Sequence, residues 1–171
     1  MEKQRVIVDT CIIIAAFEAR CWNALCGHFS VETVERCVEE CQAGDRHDPK
    51  RIKVASGELL KGLSKVHPVS ASDLLKLRLE VEQLPGIDDG ELHIMAWLHA
   101  NRPVEASLLL STTDIAAVRA THVLGLLDRL RSLQVLGKAS GVDAKQLEKL
   151  DPHFQDPWLS SLRTRITLGV L

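Results

Sequence analysis

The sequence lacks any run of about 20 consecutive apolar residues, the length that a membrane-spanning helix requires. Its first residues, Met1 to Arg5, also lack the apolar core and the small-residue cleavage site of a secretory signal. We therefore expect no membrane partner and a cytoplasmic location, where thiols stay reduced.

The sequence also lacks the two-residue cysteine spacing of common zinc sites. Its five cysteines are odd in number and are Cys11, Cys21, Cys26, Cys37 and Cys41. A structural zinc site built from the last four stays open. Burial is the stronger interpretation, because Cys37 and Cys41 fall one turn apart on a predicted helix, where thiols pack as small apolar groups.

A strong excess of either charge is absent as well. The chain has 21 Lys and Arg against 23 Asp and Glu, a formal net charge of −2, so no global attraction to nucleic acid is expected. An acidic cluster neutralised by metal would change that count. Candidates for a local basic patch are Lys50, Arg51, Lys53, Lys61 and Lys65.

The composition is that of an ordinary globular protein, with 46% hydrophobic and 26% charged residues. A length of 171 residues predicts a single domain spanning 1–171. We find no repeats or low-complexity stretches. The tail beyond residue 141 is expected to pack on the body of the domain rather than to form a second one.

Short apolar runs alternate with helical patterns along the chain. The predicted strands are 5–9, 66–69, 108–110 and 132–136. The predicted helices begin at Ile12, at Ser30 as N-cap, near Leu59, at Ser72 or Asp73, at Asp88 and at Ile115; the second ends at Gly44 and the fourth near Leu84. Residues 45–53 form a polar connector. This order predicts a three-layer α/β/α fold with a central parallel sheet of four to five strands.

Two aspartates follow predicted strands. Asp9 closes the first strand, and Asp114 comes after the strand at 108–110 and before a helix. In open α/β sheets ligands bind beyond the carboxyl ends of the strands, so both carboxylates are expected at one edge. The alternative for each is an N-cap of the helix that follows it.

Glu35 belongs to the helical stripe formed by Val31, Val34 and Val38, so we expect it to point into the body while Glu32 points away. A buried carboxylate costs several kcal/mol without a partner. That partner is either an arginine or a cation.

Asp88 and Glu91 stand three residues apart at the head of a predicted helix, a pattern that is also typical of a capping box. Leu92, Met95 and Leu98 continue their faces inward. The pair is therefore expected where the helix meets the core.

Carboxylates that converge raise one another's pKa unless a cation neutralises them, and hard oxygen ligands suit Mg²⁺ or Mn²⁺. The pattern thus predicts a metal-dependent site that cleaves phosphodiesters. Its predicted catalytic residues are Asp9, Glu35, Asp88, Glu91 and Asp114, with Thr112 and Thr113 orienting the ligands. Asp9 and Asp114 are the expected direct metal ligands.

Four segments carry a family resemblance. They are VIVDTCI at 6–12, SVETVE at 30–35, IDDGEL at 87–92 and LLSTTD at 109–114. In this order and spacing they resemble the PIN-domain family, which includes VapC-type toxin ribonucleases. The resemblance covers about residues 5–136 and leaves a C-terminal extension at 137–171 without a counterpart.

The resemblance implies metal ligation by Asp9, Glu35, Asp88 and Asp114, with Glu91 as an assisting acid. It implies Mg²⁺- or Mn²⁺-dependent hydrolysis of RNA that leaves a 5′-phosphate and a 3′-hydroxyl. It further implies, as partners to test, an antitoxin protein and a second copy of the chain in a homodimer.

Other functions stay open. A PIN-like binding module with weak or lost catalysis would not need tight Mn²⁺ binding. A haloacid-dehalogenase-like phosphatase is disfavoured, because Asp9 is followed by Thr10 and Cys11 instead of the expected Asp-x-Asp. A response-regulator receiver is disfavoured by the absence of paired acids and of a lysine after a late strand.

Overall fold

The computed structural model of the protein describes residues 2–43, 54–81, 84 and 86–171. Four strands in these ranges form one parallel sheet with the order β3-β2-β1-β4. The strands are β1 Arg5–Val8, β2 Ser30–Val34, β3 Lys65–His67 and β4 Leu109–Ser111. A single parallel bridge from Leu110 to Leu130 follows at the β4 edge. The predicted α/β/α fold with a parallel central sheet is confirmed.

Helices cover both faces of this sheet. In chain order they are α1 Thr10–Glu18, α2 Trp22–His28, α3 Glu35–Ala43, α4 Ser56–Gly62, α5 Ala71–Glu80, α6 Asp89–Ala100, α7 Ile115–Val123, α8 Leu133–Ala139, α9 Ala144–Leu147 and α10 Asp156–Thr167. Ile7 of β1 packs into one apolar cluster, while Val6 and Val8 pack into the other. This alternation places β1 between two helical layers.

The segment from Ser30 to Val34 was predicted as the start of a helix, and that prediction is wrong. It forms β2, a central strand between β1 and β3, and α3 begins only at Glu35. The reason is that β2 is buried on both faces, with Val31 in one apolar cluster and Val34 in the other. A strand buried on both faces has no polar alternation, so its β-branched residues matched a helical stripe by chance.

The strand predicted at 132–136 is also wrong, because this segment lies in α8. Ser132 is the N-cap of α8, and its hydroxyl accepts a 3.2 Å hydrogen bond from the Val135 amide. The predicted fourth helix, α5, is capped by Ser70 and ends at Glu80 rather than near Leu84. The predicted helix end at Gly44, the connector 45–53 and the basic candidates Lys50, Arg51 and Lys53 lie outside the described residues.

The C-terminal extension packs on the body. Leu159 and Leu162 of α10 join the apolar cluster that contains Ile7. Leu147 of α9 and Leu150, just after it, join the other cluster. In the described ranges no helix has both the length and the apolar character needed to cross a membrane.

Glu32 was expected to point away from the body, and this expectation is wrong. Its carboxylate is buried in β2 and accepts hydrogen bonds from Arg5 Nε at 2.6 Å and Nη2 at 2.9 Å. The same carboxylate lies 2.6 Å from His67 Nε2 on β3, whose ring packs against Trp97 at a centroid distance of 4.1 Å. Burial alone would raise the pKa of Glu32, but the hydrogen bonds from Arg5 and His67 outweigh burial and lower it to about 2. Glu32 therefore joins three strands.

Candidate metal centre

Asp9 lies at the carboxyl edge of the sheet, directly after β1. Its side chain is fully buried, and its Oδ1 accepts a 2.8 Å hydrogen bond from the Ile12 amide as the N-cap of α1. Asp9 therefore caps α1 and also lies at the carboxyl edge of the sheet, the two positions that the sequence suggested for it. The two are compatible, because capping uses one carboxylate oxygen.

Glu91 reaches the same place from the first turn of α6. Its side chain is 5% exposed. Ligand atoms of Asp9, Cys11 and Glu91 all lie within 4.8 Å of one another. Such spacing lets one ion contact all three, because metal–ligand distances run from about 2.0 to 2.6 Å on each side of an ion. Sequence reasoning found Asp9 and Glu91 but missed Cys11, which stands only two residues after Asp9.

Burial raises the pKa of Glu91, and the negative charge of Asp9 adds to this effect. Glu40 and Asp114 contribute smaller repulsions, and together these effects raise the pKa of Glu91 to about 8. The carboxyl groups of Asp9, Glu40 and Asp114 thus all act electrostatically on Glu91. A divalent cation would reverse the balance by stabilising the ionised forms.

Glu40 is the acid that α3 delivers to this edge. Its Oε2 accepts a 2.6 Å hydrogen bond from the hydroxyl of Thr10, and its side chain is 28% exposed. Arg36 Nε lies 3.6 Å from the other oxygen of Glu40. Sequence reasoning missed Glu40, although the buried Cys37 and Cys41 on α3 mark the inner side of the helix near it.

Gly90 permits this approach of α3 to α6. A Cβ at Gly90 would lie 2.6 Å from Glu40 Oε2 and 3.1 Å from Cys37 Sγ, both closer than van der Waals contact allows. A residue with a side chain would therefore displace Glu40. This gives a structural reason for the glycine between Asp89 and Glu91.

Asp114 lies at the N-cap of α7 and is half-buried. Its Oδ1 accepts a 2.6 Å hydrogen bond from the Ala117 amide. The buried Thr112 accepts a 3.2 Å hydrogen bond from the backbone amide of Asp114 through its hydroxyl oxygen, and its orienting role stays a prediction. Thr113 is half-buried beside them.

Three of the five predicted acids lie outside the three-residue group: Asp114, described above, and the exposed Glu35 and Asp88. Glu35 is exposed at the first position of α3, so the prediction that it points inward is wrong. The cause is the strand identity of β2, which breaks the helical stripe that placed Glu35. Asp88 is exposed at the N-cap position of α6 and makes no side-chain capping bond there.

The donor set suits a divalent cation. Two carboxylates and one thiol fall within the reach of one ion. The carboxylates of Asp9 and Glu91 are the ligands that Mg²⁺ and Mn²⁺ prefer, whereas the Cys11 thiol is a softer ligand that suits these ions poorly. Among the described residues, Asp9, Cys11 and Glu91 form the group of three potential ligands that lie close enough to hold one ion. This group contains a single cysteine, so a zinc site made of cysteines receives no support. Cys21, Cys37 and Cys41 are instead buried in the core.

The inner side of the site is closed. A cavity of about 10 Å³ lies behind Asp9 and Glu91, lined in part by Ile7, Ile94 and Thr121. Such a volume holds at most about one water molecule. Of the acids in this cluster, Glu40 and Asp114 are the ones that are partly exposed to solvent.

A scan against protein-family models, a search of curated proteins and a search of solved structures each found no match to this chain.

Proposed function

We propose that this chain is a Mg²⁺- or Mn²⁺-dependent endoribonuclease. The observation that carries the proposal is the convergence of Asp9, Cys11 and Glu91 at the carboxyl edge of the sheet. The choice of RNA as substrate rests on the resemblance of the four sequence segments to PIN-domain ribonucleases. The same resemblance motivates the narrower proposal of a toxin held by an antitoxin.

The buried residues are the proposed ion holders. Asp9 and Glu91 are almost fully buried and keep a fixed geometry, which a metal ligand needs. A divalent cation held there would lower the pKa of a bound water and stabilise charge on the scissile phosphate. Binding of the cation would release the proton from Glu91, since a pKa of about 8 leaves it largely protonated at neutral pH.

The partly exposed acids are the proposed positioning groups. Glu40 is held by the Thr10 hydroxyl and is 28% exposed, so it could accept a hydrogen bond from the attacking water. Asp114 is fixed by its capping bond to Ala117 and is also partly exposed. In-line attack on phosphorus would then leave the 5′-phosphate and 3′-hydroxyl that the resemblance implies.

The proposal is tested by cleavage of labelled structured RNA and of single-stranded DNA, each with Mg²⁺, Mn²⁺ or EDTA. Asp9→Asn is the matched variant, because asparagine retains an oxygen that caps α1 while it removes the charge. We expect metal-dependent RNA cleavage that falls at least about 100-fold in Asp9→Asn at an unchanged melting temperature, as loss of one charge-stabilising group predicts.

Absence of cleavage in every arm, together with absence of Mn²⁺ binding, would contradict the nuclease proposal and favour a binding module. Cleavage that persists in EDTA would contradict the metal dependence. Growth arrest on expression of the native chain, relieved by Asp9→Asn, is the result expected of a toxin.

A further inference from the structure

A groove of about 500 Å³ lies between α7 and the end of α10. Its lining differs in composition from the acidic edge of the sheet. Its apolar lining comes from Leu84, Val123, Ile166 and Leu171, and its basic lining comes from Arg119 and His122. We call it the α7–α10 groove. Within the described residues its lining contains no acidic side chain and no Phe, Tyr or Trp ring.

Exposed apolar side chains lie in this groove and next to it. Val123 is 47% exposed in its wall, and the turn after α10 exposes Leu168 and Val170 by 71% and 66%. The last two alternate along the chain with Gly169 and Leu171, which line the groove. Scattered apolar residues are normal on a surface, but a contiguous apolar patch with a polar rim marks an interaction site.

The groove follows from how α7 packs. Ala117, Val118 and Ala120 of α7 are buried against the core, so its opposite side carries Arg119 and Val123 outward. Ile166 of α10 is buried beside it and forms part of the groove wall. The sheet and the acidic cluster need none of the exposed side chains, which leaves the outer side of α7 free for a partner.

We propose that the α7–α10 groove binds an amphipathic helical segment of a partner protein that carries acidic residues beside its apolar face. The apolar anchors of such a segment would enter between Val123 and Ile166, and its acids would meet Arg119. A nine-residue helix such as α7 is about 13.5 Å long, which matches two to three turns with anchors at i, i+3 or i+4, and i+7.

Charge and ring content favour a protein segment over RNA in this groove. The lining is mostly aliphatic, while sites for single-stranded nucleic acid stack bases on aromatic rings within a strongly basic channel. The proposal does not depend on the nuclease activity, because it uses none of the residues of the metal centre.

The test is fluorescence anisotropy of two labelled helical peptides titrated with the full chain. Both peptides place leucines at i, i+3 or i+4, and i+7; one carries glutamates on the flanks and the other lysines. Val123→Asp and Arg119→Glu alter the groove. Leu79→Asp and Arg78→Glu, which change exposed positions on α5, are the matched controls.

We expect the glutamate peptide to bind more tightly than the lysine peptide, and Val123→Asp to weaken it at least tenfold while Leu79→Asp leaves it unchanged. Arg119→Glu should reverse the preference between the peptides, and Arg78→Glu should not. Retained RNA cleavage by Val123→Asp would show that the variant is folded if the chain is a nuclease, and circular dichroism shows it in either case.

Three results would overturn the proposal. The first is equal binding of both peptides, or none. The second is self-association of the native chain, measured by light scattering, that Val123→Asp abolishes, since a second copy would then occupy the groove. The third is binding of labelled RNA, measured in EDTA so that the RNA is not cleaved. It overturns the proposal if Arg119→Glu abolishes RNA binding and leaves peptide binding unaffected.

Discussion

The hydroxyl of Thr10 donates a 2.6 Å hydrogen bond to Oε2 of Glu40, a residue 30 positions further along the chain. Thr10 is the first residue of α1 and follows Asp9 directly, so this bond ties the acid of α3 to the edge where Asp9 lies. The bond connects α1 and α3, the helices that follow the neighbouring strands β1 and β2. It brings the partly exposed carboxylate of Glu40 towards the buried carboxylate of Asp9. Glu40, rather than Glu35, is therefore the acid that α3 adds to the site.

Substitution of Glu40 should impair function where substitution of Glu35 does not. We expect Glu40→Gln to reduce RNA cleavage or Mn²⁺ affinity by about 10- to 100-fold, the range for groups that orient metal ligands. Glu35→Gln is the matched control on the same helix, and its exposed side chain predicts less than a twofold change. Equal effects of the two variants in steady-state cleavage and calorimetry would contradict this assignment.

Gly90 offers a test of the geometry itself. Gly90→Ala places a Cβ 2.6 Å from Glu40 Oε2 and 3.1 Å from Cys37 Sγ, so the carboxylate must move and Cys37 must shift slightly. Activity should fall about tenfold or more, as a misplacement of about 1 Å at a catalytic group predicts. Gly57→Ala on α4 meets no atom within 4 Å and is the control. A Gly90→Ala enzyme as active as Gly57→Ala would show that Glu40 is not needed in this position.

The raised pKa of Glu91 predicts how stability depends on pH without metal. Its pKa rises from an ordinary 4.5 to about 8 on folding, so the folded state favours the protonated form. The associated stability is present below pH 4.5 and is lost as the pH rises towards 8. In EDTA we expect the melting temperature to fall over this interval by at least about 3 °C, equivalent to roughly 1 kcal/mol in a chain of this size.

Glu91→Gln should flatten that profile, because glutamine does not titrate. Addition of Mn²⁺ above pH 7 should raise the melting temperature of the native chain and not that of the variant. A native profile that stays flat, measured by scanning calorimetry at several pH values, would contradict the close packing of these carboxylates.

Glu32 predicts the opposite dependence at acid pH. Its pKa falls from an ordinary 4.5 to about 2 on folding, so its stabilising contribution is present above 4.5 and is lost as the pH falls towards 2. Glu32→Gln breaks the part-buried ion pair with Arg5, which retains Glu105, and should lower the free energy of unfolding by about 2 kcal/mol at neutral pH, the range of a hydrogen bond to a charged group.

The exposed pair between Glu39 and Arg36 supplies the control for Glu32. Its oxygen–nitrogen distance is 3.1 Å, and Glu39→Gln should change stability by less than about 1 kcal/mol. Urea unfolding of both variants at neutral pH measures the difference. Equal losses would show that the buried network does not hold the three strands together.

The sequence predicted the fold class and most of the site because these features depend on local patterns. The β-branched run of β1, the capping position of Asp114 and the start of α6 each follow from neighbouring residues. Gly125 follows α7 with a φ of +71°, as a residue after a helix C-terminus often does.

The errors arise where tertiary contacts decide. The segment from Ser30 to Val34 is a strand because β1 and β3 flank it, and no local rule reveals flanking strands. That single error placed Glu35 inward and Glu32 outward, the reverse of the structure. Glu40 and Cys11 were missed for a related reason, since their proximity to Glu91 depends on how α1, α3 and α6 meet.

The most direct test of the central claim is calorimetric titration of Mn²⁺ into the native chain, Asp9→Asn and Asp88→Asn at neutral pH. We predict saturable binding by the native chain with proton release, and a loss of at least about tenfold in affinity in Asp9→Asn, since removing a charged ligand costs more than 1.4 kcal/mol. Asp88→Asn, exposed and outside the three-residue group, should bind like the native chain. Native protein that binds no Mn²⁺, or Asp9→Asn that binds it equally well, would contradict the metal centre and with it the proposed nuclease.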